Sequence, residues 1–495
     1  MGIKAIEYVY ELNQTTTTCW VLHTMPRMSN LEAELFLQQG LQLSHAGAFE
    51  DAIANFDQSL QLNPNWHEPW YHKGVTLCEL GRYSDAITCF NQALDLQPNY
   101  PEALNSRGIA LYHLGSYEAA IASYEQALKL RPSFYQVWYN RGNALDKSGC
   151  YEAALESYSQ CLQLEPDYSK SWYNRAIILD KLGRYEEAIE NYDKAIEFRP
   201  HYSNAWYNRA NILHRLQRYT EALTSYERVL TIKPDWYGAW YNQGNVLHKL
   251  GRHEEAIASY DQTLKIKSDL HAAWYNRGNA LDALGRYREA IDSYSKALHL
   301  KPDLREAWYN WGSTLYKSGR YEEAIRSYEQ AIQLDAQFSR AWYSRGSAFR
   351  KLGMYTEAIS SYDKAVEHQP DLYEAWYARG VALGHLGQNE AAITSYDQAL
   401  QINPDFYPAW YSRGVALSHL GDYEAALESY DRALQLKPDF LQAISRRNLA
   451  LHQGCLPAIA PDQEQGQESS AFPDLPSNPD EPTTELQNPN QRATR

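Results

Sequence analysis

Cysteine is scarce in this chain and never closely paired. Cys19, Cys78, Cys89, Cys150, Cys161 and Cys455 stand apart, and no CxxC occurs. A disulfide framework and a thiolate metal site both need regular close spacings, so neither is expected. Reduced thiols fit a cytoplasmic setting. Positive charge is also short. With 46 Lys and Arg against 61 Asp and Glu, the formal net charge is −15. That is the wrong sign for a counterion-releasing grip on nucleic acid or for an anionic membrane surface. No apolar run reaches the ~18 residues of a membrane-crossing helix. The N-terminus lacks the basic start, apolar core and small-residue cleavage site of a secretory signal. Ile6 stands where a myristoylation signal needs Ser or Thr. No phosphate loop, HExxH helix or nucleophile elbow is present. An enzyme is therefore not expected, nor a cofactor or a bound metal.

What fills the chain instead is a ruler. Trp70, Trp138, Trp172, Trp206, Trp240, Trp274, Trp308, Trp342, Trp376 and Trp410 share a 34-residue spacing, interrupted only by Leu104. A fixed period of this length marks a solenoid. Counted from Ala33, twelve repeats fit without a gap to residue 440. Position 20 is Ala in all twelve, from Ala52 to Ala426, and position 24 is always aromatic, from Phe56 to Tyr430. Position 8 is Gly or Ala, and position 32 is Pro except at Ser268 and Ala336.

Apolar residues at positions 4, 8 and 11, such as Trp172, Ala176 and Leu179, fall on one helical face. A second stripe runs through Ala188, Tyr192 and Ala195. Between them sits Gly183, suited to a left-handed helix end. Each repeat therefore reads as helix, turn, helix, with Pro200 and its equivalents closing the second helix. Asp, Asn or Ser at position 33, as in Asp235 and Asp303, suits the N-cap of the next helix. The small residues at positions 8 and 20 let the two helices approach closely, and the Trp is expected to fill the space beside them, burying about 150–250 Å². Cys161, in place of a small Ala, is expected to be a buried free thiol.

Trp at 4, Gly or Ala at 8, Ala at 20, an aromatic at 24 and Pro at 32 together closely resemble the tetratricopeptide repeat, over residues 33 to about 453. The resemblance implies an all-α fold, an α-solenoid wound as a right-handed superhelix. First helices would line a concave groove and second helices the outside. Phrases such as WYNRG and LGRYEEA resemble long arrays from cyanobacteria.

In that family the groove is lined by first-helix positions 2, 5, 6, 9, 12 and 13. Here position 5 carries Tyr139, Tyr173, Tyr207, Tyr241, Tyr275 and Tyr309, and position 6 carries Asn140, Asn174, Asn208, Asn242, Asn276 and Asn310. Position 9 adds Asn143, Asn211, Asn245 and Asn279. Asn is a poor helix former, and its carboxamide both donates and accepts. The pattern resembles the asparagine ladder in the superhelix of O-linked N-acetylglucosamine transferase, whose catalytic domain has no counterpart here. These residues are expected to hold an extended peptide by its backbone. The alternatives are that they bridge helices internally or were copied indifferently by repeat duplication. A carboxylate clamp is not assembled, because position 5 holds Tyr where the clamp needs Lys. Arg at position 7, as in Arg141 and Arg277, is expected to pair with an acid of the neighbouring second helix. His214 and His248 share position 12 and are expected to be solvated groove residues.

The organisation expected is a non-repeat segment over 1–32, twelve repeats over 33–440, a C-terminal capping helix over 441–455 and a disordered Pro-rich acidic tail over 456–495. Translation is expected to begin at Met25 or Met28, with Asn30 capping the first helix. Function is expected to be that of a non-catalytic scaffold holding a protein or extended peptide in its groove, with no nucleic acid and no membrane insertion. The competing readings are an assembly factor for a multiprotein complex, such as a membrane-bound or photosynthetic one, and the regulatory subunit of an enzyme such as a glycosyltransferase.

Overall fold

A computed structural model describes residues 21–454, with side chains over 30–453. The expectations for the translation start and the tail therefore lie outside the described residues. Every regular element described is an α-helix. The chain forms two compact bodies, divided between Arg218 and Tyr219, inside the sixth repeat. The first holds α1 (Val21–His45), α2 (Phe49–Leu62), α3 (His67–Glu79), α4 (Tyr83–Leu96), α5 (Pro101–His113), α6 (Tyr117–Leu130), α7 (Tyr135–Lys147), α8 (Tyr151–Leu164), α9 (Ser169–Lys181), α10 (Tyr185–Phe198) and α11 (Ser203–Arg215). The second holds α12 (Tyr219–Ile232), α13 (Tyr237–Lys249), α14 (His253–Ile266), α15 (His271–Ala283), α16 (Tyr287–Leu300), α17 (Arg305–Lys317), α18 (Tyr321–Leu334), α19 (Ser339–Lys351), α20 (Tyr355–His368), α21 (Tyr373–His385), α22 (Asn389–Ile402), α23 (Tyr407–His419), α24 (Tyr423–Leu436) and α25 (Leu441–Gly454).

Within each body the first helices of neighbouring repeats touch along one face, and each second helix packs on both its own first helix and the next one. The small residues explain the close pairing. All twelve position-20 alanines are fully buried. A methyl group added at Gly108 would stand 2.4 Å from Cε1 of Tyr124, and one at Gly142 would stand 2.6 Å from Cε1 of Tyr158. Position 8 is thus the seat of the position-24 ring. Those rings, Tyr124 through Tyr396, are the largest fully buried side chains.

The intra-repeat turn follows the sequence reading. Gly183 has φ +75°, and its equivalents share the left-handed conformation. The sixth repeat departs: Gln217 occupies the same conformation at φ +59°, the one non-glycine residue with positive φ among those described.

Two expectations are corrected. The helix N-cap is position 34, not position 33: Trp236 precedes α13 and Leu304 precedes α17, without a side-chain cap. A large apolar residue there packs instead of capping. Tyr168 lies 5.2 Å from Tyr139 and Phe406 lies 5.2 Å from Tyr377, both edge-on. The position-4 tryptophans are half-buried and pack against the core clusters beside the helix pairs. Their role is to stitch the turn that precedes them. Trp138 Nε1 donates to the Pro132 carbonyl at 2.9 Å, and Trp172 to Pro166 at 2.8 Å. The bond persists to Ser268 (3.0 Å) and Ala336 (2.9 Å), so it needs a backbone carbonyl and not the proline ring. Finally, Asn30 lies inside α1, which begins at Val21, and so caps nothing.

At the C-terminal end α25 is docked by an Arg447–Asp431 ion pair and by buried Ala443 and Ala450. Its outer surface is not the polar cap that the array would call for. Leu441, Ile444, Leu449 and Leu451 are all exposed. Cys161 is fully buried, and burial pushes its thiol up to about 11. No described helix is long and apolar enough to cross a membrane.

Candidate functional site

The asparagines expected in the groove lie on first helices and spend part of their hydrogen-bonding capacity inside the protein. Asn174 Nδ2 donates to Tyr139 Oη at 3.1 Å and to Asn143 Oδ1 at 2.8 Å. Asn143 Oδ1 also accepts from the Tyr158 hydroxyl at 2.9 Å. The pattern recurs in the second body. Asn276 Nδ2 reaches Tyr241 Oη (3.1 Å) and Asn245 Oδ1 (3.0 Å), and Asn310 Nδ2 reaches Tyr275 Oη (2.9 Å) and Asn279 Oδ1 (3.0 Å). Tyr260 and Tyr294 donate to Asn245 and Asn279. Position 6 of one repeat is thereby tied to positions 5 and 9 of the repeat before it. Asn208 keeps the Tyr173 half of this link at 3.2 Å, and Asn140 reaches Asn105 Oδ1 at 3.0 Å. Asn211 and Asn242 occupy the same registers.

The division of roles is regular too. In the Asn174–Asn143, Asn276–Asn245 and Asn310–Asn279 pairs the position-6 asparagine donates through its amide nitrogen and the position-9 asparagine accepts through its carboxamide oxygen. Asn143 and Asn174 line an open cavity of about 280 Å³ together with Tyr112, Tyr139, Asp146, Lys147 and Ile177. In the second body Asn276 and Asn279 are 1% and 4% exposed, and Asn276 Oδ1 and Asn279 Nδ2 have no partner.

The position-5 tyrosines are walls as much as surface. Tyr139 and Tyr173 stack on Tyr158 and Tyr192 at 6.1 and 5.8 Å, and are half-buried. Tyr207 and Tyr309 are half-buried too, whereas Tyr241 and Tyr275 are enclosed. Burial raises the phenols of Tyr139 and Tyr173, against the lowering effect of their asparagine partners.

The position-7 arginines act at the junctions between repeats. Arg277 Nε donates to Asp261 at 2.7 Å, its Nη1 donates to Ser293 at 2.7 Å, and its guanidinium lies 5.9 Å from the Trp274 ring. Arg209–Asp193, Arg379–Asp363 and Arg413–Asp397 repeat the ion pair. In each of these ion pairs the acid is position 25 of the preceding repeat, and Lys73–Asp57 obeys the same rule. That register was present in the sequence as an acid eighteen residues after one arginine and sixteen before the next, but the 34-residue frame alone did not single it out.

His214 and His248 fall in different bodies. His248 faces His253, with their Nδ1 atoms 3.1 Å apart. Burial, then the charges of His253 and Lys249, lower His248 to about 4. Among the described residues no three His, Cys, Asp or Glu side chains converge on a metal position.

Comparison with known proteins agrees with this architecture. No curated protein matches the chain. Among solved structures, it is similar to YrrB, described as a TPR protein with an unusual peptide-binding site, at 25% identity, covering 40% of this chain and 98% of that one with a TM-score of 0.35. It is similar to the C-terminal part of a TPR repeat-containing protein from Cytophaga hutchinsonii at 18% identity, covering 48% and 98% with a TM-score of 0.44. Yeast Tom70 matches at 15% identity over 85% and 96%, with a TM-score of 0.33. Family profiles described as tetratricopeptide repeat match residues 71–133, 135–168, 169–202, 201–268, 271–304, 309–373, 373–406 and 407–440. Spanning most of the chain in register with its helix pairs, these matches establish that the protein belongs to the tetratricopeptide repeat family, whose members mediate protein–protein interactions.

Proposed function

We infer that the first-helix face binds an extended polypeptide by its backbone, using asparagines in pairs and not singly. The supporting observation is the division of labour between Asn143 and Asn174. Their mutual bond consumes one acceptor and one donor, both side chains line the cavity, and we read Asn143 Nδ2 and Asn174 Oδ1 as the atoms a ligand meets there. A donor beside an acceptor complements the C=O and N–H of a peptide strand, whatever its side chains. In the second body Asn276 Oδ1 and Asn279 Nδ2 are the same two functions left over, there buried and without a partner. The internal bonds hold the carboxamides in place beforehand, which lowers the cost of binding. The protein acts by holding and positioning a partner, with no bond chemistry.

The test exploits the asymmetry. Asn143→Asp keeps the Oδ acceptor used by Tyr158 and Asn174 but replaces the cavity-facing donor with an acceptor. A peptide selected from a random 12-residue library on the native protein should bind this variant at least tenfold more weakly, with helical content unchanged. N-methylation of successive peptide bonds in that ligand should weaken binding at discrete positions. Affinity indifferent to both changes would refute backbone recognition at this cavity.

A further inference from the structure

The cavity beside Asn143 and Asn174 carries an excess charge that follows from how ion pairs run along the first helices. A cation at position 13 of one repeat bonds an acid at position 12 of the repeat before. Lys181 holds Asp146 at 2.5 Å and Arg215 holds Asp180 at 3.0 Å in the first body, and Lys317 holds Asp282 at 2.9 Å in the second. Pairing that runs backwards leaves over the cation that starts a run. In the first body that cation is Lys147, because position 12 of the repeat before it holds Tyr112. Lys147 is exposed and has no hydrogen-bond or ion-pair partner among the described residues.

Both members of this mismatch belong to the cavity. Tyr112 and Lys147 line it together with Tyr139, Asn143, Asp146 and Asn174. Asp146 is the carboxylate in that lining, and it is the one Lys181 already holds. Tyr112 makes ring contacts with His113 and Tyr117. Burial raises its phenol, so it remains a donor. An ammonium and a phenol are thus on offer, and both suit a carboxylate. Lys147 ends α7, one turn beyond Asn143 and about 6 Å along the helix axis at ~1.5 Å per residue. A side chain leaving a strand held at Asn143 and Asn174 spans that offset together with the lysine stem.

We propose that Lys147 is a specificity determinant: it takes an Asp or Glu side chain of the polypeptide whose backbone Asn143 and Asn174 hold. This rests on reading the first-helix face as a backbone-binding surface. The asparagines accept a strand of any sequence, and Lys147 decides which strand and in which register. Charges beyond about 8 Å are largely screened at physiological ionic strength, so the net charge of −15 does not cancel this local attraction.

The experiment selects peptides from the same random library on the full chain, native and Lys147→Glu, in parallel. Native selections should carry Asp or Glu at one fixed position, and Lys147→Glu selections should carry Lys or Arg there. That position should fall within about two residues of the peptide bond whose N-methylation weakens binding. In a synthetic copy of a native-selected peptide, exchanging the acid for its amide should weaken binding about two- to fivefold, the scale of an exposed ion pair. The same exchange should have no effect on binding to Lys147→Gln, and high salt should shrink it on the native chain. Circular dichroism should show unchanged helices in both variants, because the replaced side chain is exposed and unpaired. No acidic preference on the native chain, an unaltered preference on Lys147→Glu, or an amide penalty that persists in Lys147→Gln would overturn the proposal. If selected peptides show N-methyl sensitivity but no acidic position, the assignment of Lys147 fails and the backbone reading stands. If no peptide is selected, both fail.

Discussion

Arg175 offers a repair experiment designed by its own neighbours. At most junctions the position-7 arginine meets a carboxylate at position 25 of the preceding repeat, as Arg209 meets Asp193 at 2.6 Å through Nε. At Arg175 that position is Ser159, which bonds the Leu155 carbonyl instead. Arg175 Nη1 reaches Asn191 at 2.8 Å, but its Nε is buried with no partner, and burial holds the guanidinium below its ordinary pKa. Ser159→Asp should place a carboxylate oxygen against Nε. The sister pair has side-chain exposures of 16% and 51%, so the ion pair itself is worth about 0.2–1 kcal/mol after screening. Satisfying the orphaned donor adds up to about 1 kcal/mol, at the low end of the cost of leaving one unmade. Asp is a slightly weaker helix former than Ser, by ~0.2 kcal/mol. The net expectation is a gain of about 1 kcal/mol. In a repeat array stability is a sum of local terms, so the assay is urea denaturation together with amide hydrogen exchange over residues 151–181. The midpoint should rise and exchange should slow in that segment alone. High salt should shrink the gain, and Arg175→Met should erase it. An unchanged or lower midpoint, or an equal gain in the Arg175→Met background, would refute the assignment of position 25 as the arginine's partner.

Two further outcomes follow from local geometry. Gln217 holds a left-handed conformation that Gly holds in every sister turn; Gln217→Gly should raise the urea midpoint by about 0.5–1 kcal/mol, the strain relieved less the extra chain entropy of Gly, whereas Gln217→Ala should give no such gain. His248 is depressed to about 4 from 6.5, so below its unfolded pKa the unfolded chain binds the extra proton. Its contribution is complete above about pH 6.5 and is lost as pH falls towards 4, at most about 3 kcal/mol at roughly 1.4 kcal/mol per pH unit. Melting midpoints measured across pH 7 to 4 should fall less steeply in His248→Gln than in the native chain.

The sequence by itself determined the repeat frame, the helix pairs and the turns. Those features are local and recur: Ala at position 20 admits only close packing, Gly at position 15 admits a left-handed turn, and aromatic position 24 needs a small seat at position 8. It also placed Asn143, Asn174, Asn276 and Asn279 on one face, because helical periodicity fixes which side chains share a side. What it could not determine is how each carboxamide divides its donors and acceptors. That depends on contacts 31 and 35 residues away, such as Asn174 with Asn143 and with Tyr139. Only the stacking of successive repeats brings them within 3.1 Å, and so only the tertiary structure decided that the ladder also ties one repeat to the next. The same holds for Trp138 and its equivalents. The repeat pattern places the ring beside the helix pair, but only the packing leaves it half-buried and turns its N–H to the Pro132 carbonyl, since the deepest space is already taken by the position-24 ring.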